Sequence, residues 1–253
     1  MNLRPLQQAR RRIGWLLATI VLLSGCDLAG APQPLPPTPT PVSFMLLADA
    51  LAAGAPASGA PATVAGYLLA DPTGAWLVDG LVFDAAGQAR PIEPGAAPVW
   101  LGASLPGVGL RAAGSLRYAA VLVRGVFEGP GEYGPEGRYQ YQVAMPNVAP
   151  LGALETSLGE LLAQPSAYDG RLVRLVGGLL VRDTAALLVD RLGAGGLPEQ
   201  GAVQIKLRGG LHDPQLLAEL RGAPSGVVRF GQVQIEGVMR GAVLAPLSIS
   251  VVR

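Results

Sequence analysis

Ser157-Leu-Gly-Glu160, Leu161-Leu-Ala-Gln-Pro165, Ser166-Ala-Tyr-Asp-Gly170 and Arg171-Leu-Val-Arg-Leu-Val-Gly-Gly-Leu-Leu-Val181 run together into the stretch on which the fold turns. Ser157 and Glu160 stand at the spacing of a capping box, in which hydroxyl and carboxylate each close a free backbone donor at a helix start. Pro165 disfavours helical backbone in the residue before it, so the helix is expected to stop there. Tyr168-Asp169-Gly170 reads as a turn, and the Val- and Leu-rich run from Arg171 to Val181 as a strand. Gly177-Gly178 inside that strand predicts a bulge or a sharp bend, where a side chain would obstruct a coiled sheet.

Downstream, Asp183-Thr184 turns into a second strand, Ala185 to Asp190, and Ala202 to Leu207 gives a third. Asp213-Pro214 marks a helix start, a capping carboxylate followed by proline at the first helical position, and that helix runs to about Leu220. A fourth strand spans Val228 to Met239, with Val233, Ile235, Gly237 and Met239 alternating with Gln232, Gln234 and Glu236. Leu247 to Val252 is the fifth. Three strands, a helix and two strands, with glycines in the first strand, resemble the OB-fold, a five-stranded Greek-key barrel. The segment from Glu160 to Gly177 also resembles the opening of OB-like domains in bacterial envelope proteins.

Working back toward the N-terminus, the same pattern recurs. Without a gap, Leu51 meets Leu162, Gly59 meets Gly170, Gly66 meets Gly177, and Leu77-Val78-Asp79 meets Leu188-Val189-Asp190. After a shift of one residue, Val121-Leu-Val-Arg-Gly125 faces Val233-Gln-Ile-Glu-Gly237. Kept register in both places argues for two copies of one unit. Strands of the first copy are expected near Ala62 to Ala70, Ala75 to Phe83, Pro98 to Gly102, Ala119 to Phe127 and Tyr139 to Met145. The helix before the fourth strand is not evident, since Pro106-Gly-Val-Gly-Leu-Arg-Ala-Ala-Gly114 is poor helix material. The expected class is mainly β: two tandem five-stranded OB-like Greek-key barrels with short helices, residues 44–150 and 151–253.

Ahead of the barrels, Arg4 and Arg10 to Arg12 precede an apolar run, Ile13 to Leu23, which ends in Leu23-Ser24-Gly25-Cys26. A charged arm, an apolar core and small residues read as a secretory signal over residues 1–25. The core falls well short of the roughly 20 residues that a spanning helix needs. The last four residues resemble the lipobox of bacterial lipoproteins. That resemblance implies cleavage between Gly25 and Cys26, a diacylglycerol on the Cys26 sulfur, palmitate-type acylation and a cell membrane anchor on the extracytoplasmic side. Residues 26–43 carry the lipidated cysteine and a proline-rich linker, which stays extended because proline removes backbone donors and fixes φ.

Loss of the signal leaves fifteen basic residues against eighteen acidic ones, a net charge of −3. A mildly acidic body lacks the electrostatic footprint of nucleic-acid binding. Arg171, Arg174, Arg182, Arg191, Lys206 and Arg208 read as a solvated face, and Trp76 and Trp100 as core or rim packing. Cys26 is the only cysteine and His212 the only histidine, so neither Ser-His-acid nor Cys-His catalysis has its parts. Zinc-type ligand spacing is absent, no cofactor is implied, and His212 reads as a surface residue. Asp79 and Asp190 stand at equivalent strand ends and are expected to accept backbone N–H bonds.

One loop is left as a contact surface. Glu128, Glu132 and Glu136 surround Gly129-Pro-Gly-Glu-Tyr-Gly-Pro-Glu-Gly137, which also carries Tyr133, with Tyr139 and Tyr141 next along the strand. The run lacks the ligand spacing of a calcium loop, whereas aromatic residues are common anchors of protein interfaces. The sequence therefore points to a non-enzymatic binding or scaffold module with an envelope protein as partner. OB-type binding of an oligosaccharide or single-stranded nucleic acid is the alternative.

Overall fold

A computed structural model describes residues 43–84, 86–102, 109–224 and 226–252. The signal segment, Cys26 and most of the proline-rich linker lie outside the described residues.

The first half contains β1 (Met45–Leu46), α1 (Leu47–Ala52), α2 (Ala55–Ser58), β2 (Pro61–Asp71), β3 (Gly74–Val78), β4 (Leu81–Phe83), β5 (Ala89–Pro91), β6 (Val99–Gly102), β7 (Arg111–Ala113), β8 (Leu116–Glu128) and β9 (Tyr141–Pro150). The second contains β10 (Leu154–Glu155), α3 (Leu158–Ala163), α4 (Pro165–Tyr168), β11 (Leu172–Arg182), β12 (Ala185–Val189), β13 (Gln204–Leu207), α5 (Pro214–Glu219), β14 (Arg221–Gly222), β15 (Val228–Arg240) and β16 (Val243–Val251). The capping box forms as expected: the Glu160 amide donates to Ser157 Oγ and the Ser157 amide to Glu160 Oε2, each at 3.1 Å. Asp213 likewise caps α5, accepting from the Leu216 amide at 2.8 Å.

In the second sheet β11 pairs with β12 and β15, β12 with β13, β13 in parallel with β16, and β16 with β15. That last pairing closes a five-stranded barrel. Val173, Leu175, Leu179, Val181, Val233, Ile235 and Ile249 point into it, capped by Leu158, Leu161 and Leu216 from the helices. The first sheet runs β1-β2-β3-β6-β9-β8-β7, with β2 also pairing β8 and β6 running parallel to β9. Its core holds Val64, Leu68, Leu77, Val99, Val121, Val123 and Phe127.

A third cluster joins the halves. Ala65, Tyr67, Leu69, Val78 and Leu81 of the first pack with Leu172, Val238, Ala245 and Leu247 of the second. This explains the unbroken buried run along β2: even-numbered residues face their own core and odd-numbered ones face the other half.

Three expectations need correction. Ala75 to Phe83 is not one strand. The chain breaks at Asp79-Gly80, and β4 crosses to pair in parallel with Ser248–Ser250 of β16. The cause is the shortness of β13, which covers only Val243 and Leu244 of β16 and would leave the rest of that edge bare. Second, the expected bulge at Gly177-Gly178 is absent, because β11 pairs with β15 without a break. The irregularity lies opposite Gly237, where Gly237 pairs with Pro246 and Glu236 with Ser248, leaving Leu247 as the extra residue. The first sheet has its counterpart opposite Gly125, between the Arg124–Asn147 and Val126–Ala144 pairs. Third, Glu236 is only 5% exposed although it alternates with core residues, because the first half covers that outer face.

The obstruction expected of a side chain at Gly177 is present. A Cβ there would stand 2.7 Å from the Val189 carbonyl oxygen, and one at Gly66 the same distance from that of Val78. Neither carbonyl can move without displacing a paired strand. Gly66→Ala and Gly177→Ala are each expected to cost about 1–3 kcal/mol in urea denaturation. Gly159→Ala, in α3 with open space around it, is expected to gain about 0.5–1 kcal/mol.

Candidate functional site

The β8–β9 loop lies beside the outer surface of β3 and β6. Trp76 and Trp100 are cross-strand partners there, and the Tyr139 ring sits 5.1 Å from Trp100 and 6.2 Å from Trp76, centroid to centroid. All three rings are half-buried, and the Trp100 ring lies over Gly74, where any side chain would collide with it. Reciprocal backbone bonds between Tyr133 and Tyr139, at 2.9 and 3.1 Å, close the loop and aim Tyr139 at the tryptophans. Burial, then the nearby Asp71 carboxylate, pushes the Tyr139 hydroxyl up from its usual value, so it remains a donor at neutral pH.

The expected loop residues divide into two groups. Glu132 and Glu136 are exposed, Glu136 pairs with Arg138 at 2.7 Å, and the Tyr133 ring folds over Gly131. Glu128 is half-buried and accepts from Gln142 Nε2 at 2.6 Å, while Tyr141 packs against the first core. Tyr133, Glu132, Glu136 and Tyr139 therefore share the loop surface with the tryptophans, and Glu128 and Tyr141 anchor it from beneath. Trp76, read from sequence as core or rim packing, does pack against the cluster that joins the halves, and with Trp100 it also borders the candidate surface. Their signal was present, since Trp76 and Trp100 each sit in a predicted strand beside inward-facing aliphatics.

Elsewhere the chemistry-bearing residues brace each half or hold the two together. The Asp79 carboxylate accepts from the Ala96 amide and that of Asp190 from the Val203 amide, each at 2.9 Å, as expected of strand-end turn residues. Burial outweighs those amide bonds at Asp79 and raises its pKa. Arg174 is not part of a solvated face: its Nε donates to Glu236 Oε1 at 2.7 Å, and Nη1 reaches Glu155. Glu236 also accepts from the Tyr67 hydroxyl, which in turn lies 3.2 Å from Ser248 Oγ. Burial, then the Glu236 charge, holds that hydroxyl protonated far above the ordinary tyrosine range.

Asp213 is fully buried, and Arg90 grips it with both guanidinium nitrogens. Arg208 clasps Asp49 in the same way at 2.7 Å, on the surface. His212 is exposed. No group of three His, Cys, Asp or Glu side chains converges among the described residues, and no helix among them is long and apolar enough to cross a membrane. Comparison of the chain with protein-family models, curated proteins and solved structures finds no match.

Proposed function

We propose that the protein is a membrane-tethered, non-enzymatic binding module of two OB-like barrels, held outside the cytoplasm by lipid on Cys26. Its contact face is the aromatic surface of Trp76, Trp100 and Tyr139 with the β8–β9 loop, and its partner is an envelope protein. The observation that carries this reading is the gathering of three half-buried rings beside the β8–β9 loop, with Trp76 seated between that loop and the cluster that joins the halves. Rings of this kind bury large area at low entropic cost and anchor interfaces.

The OB-like reading of both halves is supported by their shared order of pairings. Strand one pairs with two and four, two with three, and three runs parallel to five, both in β2-β3-β6-β8-β9 and in β11-β12-β13-β15-β16. In those terms the aromatic face spans strands two and three beside the loop between four and five, the region with which OB-folds engage oligosaccharides and oligonucleotides. An oligosaccharide is therefore the second reading, with ring faces for its C–H surfaces. Single strands fit less well, because Asp71, Glu132 and Glu136 flank the rings and repel phosphate.

Two measurements test this. Radiolabelled palmitate is expected to enter the native protein and to be lost in Cys26→Ala; label retained in the variant would refute the tether. A photo-crosslinker at Tyr133 is expected to give a discrete protein adduct in the intact envelope, reduced at least tenfold by Trp100→Ala with Tyr139→Ala. Adducts unaffected by that pair would rule out the face, and saturable glycan binding lost in the same pair would favour the second reading.

A further inference from the structure

Behind the seam between the halves, the bonded set of Tyr67, Glu236, Arg174 and Ser248 forms a rigid polar wall. In front of it the register brings two rows of residues together. Phe83, Ser250 and Gln234 are neighbours across β4, β16 and β15, while Tyr118 and Arg111 are partners across β8 and β7. Between the rows lies a cavity of about 140 Å³ lined by these five, together with Tyr67, Glu236 and Ser248. A second cavity, of about 210 Å³, shares the walls formed by Tyr67, Arg111, Tyr118 and Glu236.

The front row is chemically idle. Tyr118, Gln234 and Ser250 make no side-chain hydrogen bond among the described residues, and Arg111 makes no ion pair there shorter than its 3.8 Å approach to Glu236. The back wall, by contrast, is saturated: Glu236 is paired with Arg174, and Tyr67 is committed to Glu236. Because the buried charges already neutralise one another, a further ion of either sign would gain little and would lose hydration. Unused donors and acceptors, half-exposed on a preorganised wall, suit a neutral ligand rich in hydroxyls. The Phe83 and Tyr118 rings, 5.1 Å apart, add an apolar side to the cavity. Both volumes are below the roughly 300 Å³ at which drug-sized sites begin, which limits the guest to about one ring.

We propose that this inter-half cavity binds a small neutral polyol or single sugar ring, gripped by Arg111, Tyr118, Gln234 and Ser250. The site shares no lining residue with the aromatic face on β3 and β6. The test is saturation-transfer NMR on the full chain in mild detergent, with glucose, N-acetylglucosamine and myo-inositol as probes and inorganic phosphate and butylamine as charged controls. Saturable binding of at least one neutral probe, with Kd on the order of millimolar, is expected. Gln234→Leu and Ser250→Ala, whose side chains bond nothing else, should each weaken it about tenfold while leaving urea denaturation unchanged. Trp100→Ala should leave it intact. The proposal is overturned by absence of saturation up to about 50 mM for all three probes, by binding that survives both variants, by loss in Trp100→Ala, or by phosphate or butylamine binding in place of the neutral probes.

Discussion

Glu236→Leu is expected to destabilise the folded protein by about 3–5 kcal/mol, the usual cost of removing one partner from a buried ion pair. The side chain is 7% exposed and receives bonds from Arg174 and Tyr67, one from each half. Its loss leaves the one-fifth-exposed Arg174 guanidinium with Glu155 as its remaining ion-pair partner, and the Tyr67 hydroxyl with Ser248 alone. Replacing all three polar groups, as Glu236→Leu, Arg174→Met and Tyr67→Phe, should recover most of the loss, because desolvated charges offset much of their own attraction. Urea denaturation read by tryptophan fluorescence and far-UV circular dichroism checks both points. Both described tryptophans lie in the first half, so separation of the two transitions in Glu236→Leu would show the halves unfolding independently. A triple variant no more stable than the single one would refute the account.

Asp213→Ala is the second large effect, again about 3–5 kcal/mol. One carboxylate there does three jobs. It accepts both Arg90 nitrogens from the β5 arm, the Glu93 amide at 3.0 Å, and the Leu216 amide that starts α5. The cap alone is worth about 1 kcal/mol; the rest comes from leaving the Glu93 amide without an acceptor and Arg90 with only its long bond to the Pro91 carbonyl. Asp213→Asn keeps the shape and the cap and should cost less. Burial pushes the Asp213 carboxyl up, but the Arg90 guanidinium and the two amides outweigh it and hold the group below the ordinary aspartate value. A carboxyl depressed in this way stabilises the fold in full above its unfolded value, near 4, and loses that contribution as pH falls through the lower folded value. The advantage of the native protein over Asp213→Asn should therefore be constant from about pH 5 to 8 and shrink below about pH 4. An advantage that grows on acidification would contradict the assignment.

The scale of these effects reflects how the halves are joined. Arg90 and Asp213 are 123 residues apart in the chain and Tyr67 and Glu236 are 169 apart. Nothing local in the sequence links them. The repeat does not help either, since the residue matching Glu236 in the first copy is Arg124. The five strands of the second half, the capping box at Ser157, the cap at Asp213 and the strand-end roles of Asp79 and Asp190 were readable, because each depends on hydrogen bonds or periodicity within a few residues. The crossing of β4 was not, for it answers a bare edge on a strand more than 160 residues away.

The candidate surface divides along the same line. A loop rich in tyrosine and glutamate beside the last strand of the first half was visible as composition, and in the structure its Tyr139 meets Trp76 and Trp100 while Glu132 and Glu136 are exposed. The meeting of Tyr139 with Trp76 and Trp100 depended on the pairing of β3 with β6. The sequence alone determined what short-range physics controls: the strands of the second half, their caps and turns, and the glycines recurring at Gly66 and Gly177. Only the tertiary structure decided which outer faces stay wet. In a barrel every strand has an outer side that local alternation marks as polar, and docking of a second body turns part of it into interior. That docking made Glu236, Arg174, Tyr67 and Asp213 the residues on which the two halves depend.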